Sequence, residues 1–191
     1  MVKGLLEELI ARGLGIERPM LIVIDGAKAL RKAVSDVLGK DTPVQRCTVH
    51  KKRNVLEHLG KGERSWVSRR MSQAYAQSDA QVARRDLLRL VEELRPINPS
   101  AARSLEEGLD ESLTGQRLGL PEALRISLRS TNIIESANNG VRDRTRNVKR
   151  WRDGMQVERW SAAALLETEK AFRRIKGYRH MAVLLAALDN Q

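Results

Sequence analysis

Two carboxylates in this sequence occupy positions suited to holding a divalent cation. Asp25 ends the apolar run of residues 20–24 and precedes Gly26, so it stands where a buried strand breaks into a turn. An Asp-Gly pair after a strand is by itself commonly a turn signal. Glu135, which opens a predicted helix much later in the chain, supplies a second carboxylate. Such oxygen ligands favour Mg²⁺ over zinc and permit metal-assisted chemistry on phosphate.

The helix predicted over residues 131–150 carries many cations behind Glu135. Polar and charged residues fall at helical spacing on one stripe, namely Glu135, Asn138, Arg142, Arg146 and Lys149. An adjoining stripe is apolar, formed by Ile134, Ala137, Val141 and Val148. The pattern predicts one face against a core and the other toward phosphate, with an ordinary solvated face as the alternative.

A thiol and an imidazole three positions apart follow a second predicted strand. Cys47 and His50 lack two further ligands at zinc-binding spacing, because His58 and His180 do not match such a pattern. A Cys/His nucleophilic pair is also weakly indicated, since i, i+3 neighbours at a strand end need not touch. We therefore expect Cys47 to be buried and His50 to orient water or phosphate near the acidic residues.

The elements that must position these residues form an α/β fold that is predominantly helical. The predicted order is a helix over 2–12, a strand over 20–24, a helix from Gly26 to Gly39 and a strand over 42–49. This order is typical of a parallel β-α-β unit. Residues 51–124 read as helices alone, including one that begins at Ser78 with capping-box spacing. A hinge is predicted over residues 115–121, and helices over 131–150 and 155–175 follow.

The composition points to nucleic acid as the partner. The formal net charge is +11, and residues 125–180 hold 14 Lys or Arg against 6 Asp or Glu. Aromatic residues make up 3% of the chain, which disfavours a base-stacking sheet. Trp66, Trp151 and Trp160 are interpreted as core or surface-anchor residues, with stacking of Trp151 on an unpaired base as the alternative.

The expected location is the cytoplasm. One cysteine cannot build a disulfide framework, and the acidic N-terminal helix does not resemble a secretory leader. No apolar run approaches the roughly 18 residues that a spanning helix needs, so no membrane role is expected.

The ordered motifs resemble the Mutator-like DDE transposases, in particular their bacterial insertion-sequence branch. The matching segments are Asp25-Gly26, residues 45–54 with Cys47 and His50, the helical stretch, and residues 129–136 followed by 141–146. The resemblance covers nearly the whole chain. It implies Mg²⁺-dependent (or Mn²⁺-dependent) cutting and joining of DNA at the ends of a mobile element, by a protein associated with the bacterial nucleoid.

The resemblance also implies a fold and a set of roles. The fold is a partial RNase H-like core over residues 1–50, an all-helical insertion over 51–124, and C-terminal helices over 125–191 that complete the core. The implied catalytic residues are Asp25, Glu135 and His50, with the first two as metal ligands. The implied DNA-binding residues are Arg129, Asn132, Arg142, Arg144, Arg146, Lys149 and Arg150.

The resemblance implies a metal-binding triad of carboxylates, in which Asp25 is the second and Glu135 is the third. The first carboxylate of that triad has no counterpart in this sequence. Asp25 is the first aspartate, and Glu7, Glu8 and Glu17 fall in a predicted helix and turn. The expectation is therefore the C-terminal part of a transposase with impaired cleavage and an uncovered strand edge that favours homo-oligomers. A non-catalytic DNA-binding regulator is the main alternative, and an RNA-associated basic protein is a third.

Overall fold

The chain is predominantly helical with one two-stranded parallel sheet within residues 2–190, which this computed structural model describes. The first elements are helix α1 (Val2–Ala11), strand β1 (Ile22–Ile24), helix α2 (Lys28–Leu38) and strand β2 (Val44–Arg46). Next come helices α3 (Thr48–Glu57), α4 (Lys61–Ala76), α5 (Ala80–Leu94), α6 (Pro99–Glu106), a 3₁₀ turn (Asp110–Leu113), α7 (Thr114–Arg117) and α8 (Glu122–Leu128). The last are α9 (Asn132–Thr145), α10 (Gly154–Glu169), a 3₁₀ turn (Tyr178–His180) and α11 (Met181–Asp189).

The described residues divide into two compact units. The first unit contains residues 2–130 and 176–190, and the second contains residues 131–175 with α9 and α10. None of the described helices is both long enough and apolar enough to cross a membrane.

The predicted parallel β-α-β unit is confirmed. The two strands pair in parallel register with Ile24 opposite Arg46, and Ile24, Val34 and Val44 form a small core between the sheet and α2. The second strand is shorter than predicted because Cys47 already serves as the N-cap of α3. Residues 48 and 49, which were predicted to end the strand, therefore belong to a helix.

The helical stretch after β2 has its own apolar core, as predicted. Leu87, Leu90, Val91 and Leu94 of α5 are buried with side chains from α3, α4 and α6. Trp66 packs against this core, in agreement with its interpretation as a core or surface-anchor residue. This stretch is therefore a packed body rather than a linker.

The capping-box interpretation at Ser78 is wrong. Asp79 is the N-cap of α5, and its Oδ1 accepts hydrogen bonds from the backbone N–H groups of Gln81 at 2.6 Å and Val82 at 3.1 Å. A carboxylate satisfies two backbone donors at a helix start, which leaves Ser78 one position outside the cap.

The predicted hinge over residues 115–121 is also wrong, because its start is packed against β2. The side chain of Gln45 is buried, and its Oε1 accepts from the backbone N–H of Gly115 at 2.9 Å. Its Nε2 donates to the carbonyl oxygens of Ser112 at 2.9 Å and Arg46 at 2.8 Å. Thr114 Oγ1 adds a hydrogen bond to the carbonyl of Val44 at 2.7 Å. The boundary between the compact units falls after Ser130 instead.

Candidate functional site

Asp25 occupies the turn that joins β1 to α2. Its Oδ1 accepts a hydrogen bond from the backbone N–H of Ala27 at 2.9 Å, and the residue is exposed. This bond orients the carboxylate and engages one of its two oxygens. The other oxygen can therefore ligate a cation at the carboxyl end of the strand.

A buried arginine supports this turn from the neighbouring strand. Arg46 ends β2, is 7% exposed, and has its guanidinium between Gly26 and Gly108, so that a Cβ at either glycine would collide with it. Its Nη1 donates to the carbonyl of Glu107 at 3.0 Å and its Nη2 donates to the carbonyl of Gly26 at 3.4 Å. Nη2 also lies 3.6 Å from a carboxylate oxygen of Glu107. Arg46 therefore links the Asp25 turn to the end of α6.

Lys51 is a second buried cation at the same place. Its Nζ donates to the carbonyl of Ser104 at 2.6 Å and to the carbonyl of Glu107, which Arg46 also uses. These acceptors lie at the C-terminal end of α6, where the helix dipole favours positive charge. Burial lowers the pKa of Lys51 to about 8, and repulsion from Arg46 adds to the decrease. The sequence pattern did not indicate the burial of either cation, because Lys and Arg are rarely fully buried.

Cys47 and His50 lie at the junction between β2 and α3. The backbone N–H of Cys47 donates to the carbonyl of Ile24 at 2.7 Å, which places the start of α3 beside the Asp25 turn. Cys47 is completely buried, as expected, and its Sγ lies 3.2 Å from Nδ1 of the half-buried His50. The i, i+3 pair therefore does touch, because both residues belong to the first turn of one helix. Within residues 2–190 no group of three or more His, Cys, Asp and Glu side chains is arranged to hold a metal ion.

Glu135 lies in the first turn of α9, in the second compact unit. It is half-buried, and its Oε1 accepts a hydrogen bond from Thr131 Oγ1 at 2.5 Å. Asn132, the first residue of the helix, is exposed. The structure describes the unit that holds Glu135 and the unit that holds Asp25 separately. Their joint coordination of a metal ion therefore stays a prediction.

The basic helix is shorter than the charge pattern indicates. The α9 helix ends at Thr145 with Arg146 as its C-cap, so Lys149 and Arg150 lie in the non-helical segment before α10. The predicted place of Lys149 on the helical stripe is therefore wrong, and so is the predicted place of Arg150 in the same helix. Thr145, Asn147 and Val148 are weak helix formers, which favours an end here despite the continuing run of cations. The predicted apolar stripe is partly covered: Ala137 is buried, Val141 and Val148 are half-buried, and Ile134 is exposed.

The cations of this segment are exposed and available for anions. Arg142 donates to Asn139 Oδ1 at 3.1 Å and Arg144 donates to the carbonyl of Gly140 at 3.2 Å. Arg146, Lys149 and Arg150 are exposed as well. In the part of the chain that the structure describes, none of these five side chains has a carboxylate within ion-pair distance.

The backbone carbonyl of Arg129 has a structural role. Its carbonyl accepts from the backbone N–H of Thr48 at 2.9 Å and from Thr48 Oγ1 at 3.2 Å. These bonds hold the start of α3, and thus Cys47 and His50, against the end of α8. A role for the Arg129 side chain on DNA stays a prediction.

Comparisons with known proteins identify the family to which the chain is similar. A family model described as "Transposase, Mutator family" matches residues 2–174. The chain is 29% identical over 170 residues to the transposase for insertion sequence element ISRM5 of Rhizobium meliloti (strain 1021), covering 89% of this chain and 42% of the relative. It is 32% identical over 145 residues to the transposase for insertion sequence element IST2 of Acidithiobacillus ferrooxidans, covering 76% and 48%. The corresponding protein for element IS406 of Burkholderia multivorans (strain ATCC 17616 / 249) is 35% identical over 145 residues, covering 74% and 35%.

The chain thus spans less than half the length of each of these three relatives. The match to the family model nevertheless extends from α1 through both predicted acidic residues and the exposed cations after α9. This chain therefore belongs to the Mutator family of transposases.

Proposed function

We propose that this chain is part of an insertion-sequence transposase and acts in metal-dependent cutting and joining of DNA. The observation that carries the proposal is the position of Asp25, exposed at the carboxyl end of β1 beside the Cys47–His50 junction. Strand ends of this kind are frequent sites of catalysis in α/β folds. The names of the relatives, which are transposases for insertion sequence elements, support the same function.

In this proposal Asp25 and Glu135 hold Mg²⁺ or Mn²⁺. Both offer carboxylate oxygens, the ligand type that these cations prefer, and Asp25 has one oxygen outside its turn bond. The bound cation would activate water or a 3′ hydroxyl toward a phosphodiester. His50 would orient that water or a phosphate oxygen from the first turn of α3.

The fold and the strength of the activity are also proposals. We propose that the β-α-β unit is part of an RNase H-like core, that residues 51–124 are its helical insertion, and that residues 125–191 complete it. We further propose that the chain by itself cleaves DNA weakly. Two carboxylates attract a divalent cation less strongly than three, because the site then has one negative charge fewer.

DNA is the proposed partner, and the exposed cations of the second unit are its proposed contacts. Arg142, Arg146 and Lys149 lack carboxylate partners among the described residues, so they can neutralise phosphates. A cytoplasmic protein associated with the nucleoid follows from this partner. We also propose a homo-oligomer, because a two-stranded sheet offers backbone groups for pairing at its outer edge.

The second candidate function is that of a non-catalytic regulator that occupies element DNA. The exposed cations after α9 favour it, since they account for DNA binding without any use of Asp25. The two functions differ in which substitutions matter.

The test incubates the full chain with end-labelled duplex DNA and Mn²⁺, and measures Mn²⁺ affinity by calorimetry. Asp25→Asn and Glu135→Gln should each weaken Mn²⁺ binding and abolish the slow cleavage, whereas Asp41→Asn, at an exposed loop position, should change neither. Robust cleavage by the unsubstituted chain would contradict the proposed weakness. Duplex binding that depends on Arg142 and Arg146, with Mn²⁺ affinity unchanged in Asp25→Asn, would favour the regulator.

A further inference from the structure

We propose that Trp160 is a stacking platform for an unpaired nucleobase of DNA. The inference rests on the proposed function and deepens it, because it assigns distorted or single-stranded DNA to a defined place on the second unit. The sequence pattern allowed a core or a surface-anchor role for Trp160, and the side chain is 45% exposed on α10. The indole therefore presents an aromatic face and an N–H group at the surface, both of which can meet a ligand.

The indole borders a shallow recess at the N-terminal half of α10. Its volume is about 440 Å³, and its lining residues are Arg152, Asp153, Gln156, Arg159, Trp160 and Ala163. Gln156, Trp160 and Ala163 fall at i, i+4 and i+7 and therefore share one helix face. The small side chain of Ala163 leaves space beside the ring, so a flat ligand can lie against it.

The mouth of the recess is held in shape by a cap. Asp153 is the N-cap of α10, and its Oδ1 accepts from the backbone N–H of Gln156 at 2.7 Å. In return, Gln156 Oε1 accepts from the backbone N–H of Arg152 at 2.7 Å. These reciprocal bonds fix the chain before the helix, so the recess is preorganised for a ligand.

Two cations line the recess beside the ring, Arg152 and Arg159, together with the carboxylate of Asp153, which accepts a hydrogen bond in the cap. The segment of chain that leads to the recess, residues 142–152, holds six Lys or Arg and one acidic residue, Asp143. Among the described residues Arg152 and Arg159 have no carboxylate within ion-pair distance. An aromatic face beside unpaired cations complements a nucleotide, whose base stacks while its phosphate meets the cations.

A protein partner fits this recess less well than a base. The most exposed apolar side chains of α10 are Met155 at 68% and Leu166 at 65%. At about 100° per residue, both lie roughly 120–140° around the helix from Trp160. The two most exposed apolar side chains therefore lie away from the face that carries the indole, where Val157, 39% exposed, is the nearer apolar neighbour on the helix.

The experiment compares single-stranded and duplex DNA binding of the full chain. Trp160→Ala should weaken binding of a 20-nucleotide oligothymidylate about tenfold, the equivalent of one base–aromatic stack, and change duplex affinity less than twofold. Trp160→Phe should retain most of the single-strand affinity because it keeps an aromatic face. Leu166→Ala, which removes a more exposed apolar side chain from another face of α10, should match the unsubstituted chain. Quenching of tryptophan fluorescence by the oligonucleotide should be smaller in Trp160→Phe than in the unsubstituted chain.

The outcomes separate this inference from the proposed function. Duplex binding with single-strand affinity unchanged in Trp160→Ala would overturn the stacking platform and leave the proposed function intact. Equal losses on both forms of DNA would also overturn it, since a stacked base is available in the single strand alone. Failure of the unsubstituted chain to bind either DNA would overturn both proposals. A change of oligomeric state in Trp160→Ala without any change in DNA binding would assign the indole to a protein contact instead.

Discussion

The guanidinium of Arg46 lies directly against the Cα of Gly26, and Gly108 closes its other side. The turn that carries Asp25 is therefore formed around a buried cation from the adjacent strand. Because Gly26 has φ of +106°, the turn also requires a backbone conformation that side chains disfavour. Two separate constraints select glycine at this position.

Gly13 allows these constraints to be separated. It has nearly the same backbone angle, φ +105°, but a Cβ there would meet no atom within 4 Å. Gly13→Ala should cost about 1–2 kcal/mol of unfolding free energy, the strain of the backbone alone. Gly26→Ala should cost roughly 1–3 kcal/mol more, because Arg46 is held by Glu107 and cannot move freely. Urea unfolding followed by circular dichroism measures the loss of unfolding free energy in both variants. Equal losses would show that the guanidinium of Arg46 moves aside without cost.

Lys51 should make stability rise with pH in the alkaline range. Its pKa is lowered from 10.5 to about 8 in the folded chain, so below pH 8 both states are protonated and the full cost of burial applies. Between pH 8 and 10.5 the unfolded chain binds more protons than the folded chain, and the free energy of unfolding increases. Relative to Lys51→Met, the unsubstituted chain should gain on the order of 1–2 kcal/mol between pH 7 and 9.5. Parallel pH curves for the two proteins in denaturant titrations would refute this.

Arg142 and Arg146 should determine the salt dependence of duplex binding. If each neutralises one phosphate, the double substitution to alanine should reduce the slope of log affinity against log salt by about 2. The affinity should fall on every duplex sequence, since phosphate contacts carry no base information. Arg95→Ala is the matched control, because Arg95 is exposed but already paired with Glu92 and Glu106. A slope unchanged in the double variant would remove these residues from the DNA contact.

Gly140 should be required for the packing of α9 on α10. A Cβ there would collide with Thr168, which is buried and donates its hydroxyl to the carbonyl of Ala164 at 2.6 Å. Gly140→Ala should therefore lower hydrogen-exchange protection of both helices by about 1–3 kcal/mol, despite the better helix propensity of alanine. The double variant Gly140→Ala/Thr168→Ala should recover part of that loss, because it removes the two closest atoms, Thr168 Cγ2 and Oγ1, while the Cβ of residue 168 still lies 2.9 Å from the added methyl group.

Gly62 is the control position that measures the effect of helix propensity alone. It lies in α4, and a methyl group added to its Cα would have no atom within 4 Å. Gly62→Ala should therefore be neutral or stabilise by up to about 1 kcal/mol. Loss of stability at both glycines would mean that the contact with Thr168 is not the cause.

The sequence pattern predicted the β-α-β unit because the local signals for strand, turn and helix in this segment all favour the same structure. An apolar run, a glycine and an amphipathic helix follow each other in residues 20–39, and the parallel direction of the two strands follows from the helical crossover between them. The core of α5 was predictable for the same reason, since Leu87 and Leu94 repeat at helical spacing.

Other features depend on contacts between distant segments, which periodicity does not report. The burial of Arg46 and Lys51 results from carbonyl groups at residues 104 and 107, more than fifty positions away. The end of α9 at Thr145 was hidden by cations that continue the charge pattern into a non-helical segment. The meeting of Asp25 with Glu135 stays a prediction, since spacing alone determines neither approach nor orientation.

Gln45 has a consequence for how far this protein can be shortened. Both N–H groups of its amide and its oxygen are used inside the protein, and two of the three partners come from residues 112 and 115. A shortened protein that keeps Gln45 buried but loses residues 112–115 would leave its amide unsatisfied, which costs about 1–3 kcal/mol for each lost partner. A shortened version of this region must therefore keep residues 112–115, which hydrogen-bond to the side chain of Gln45.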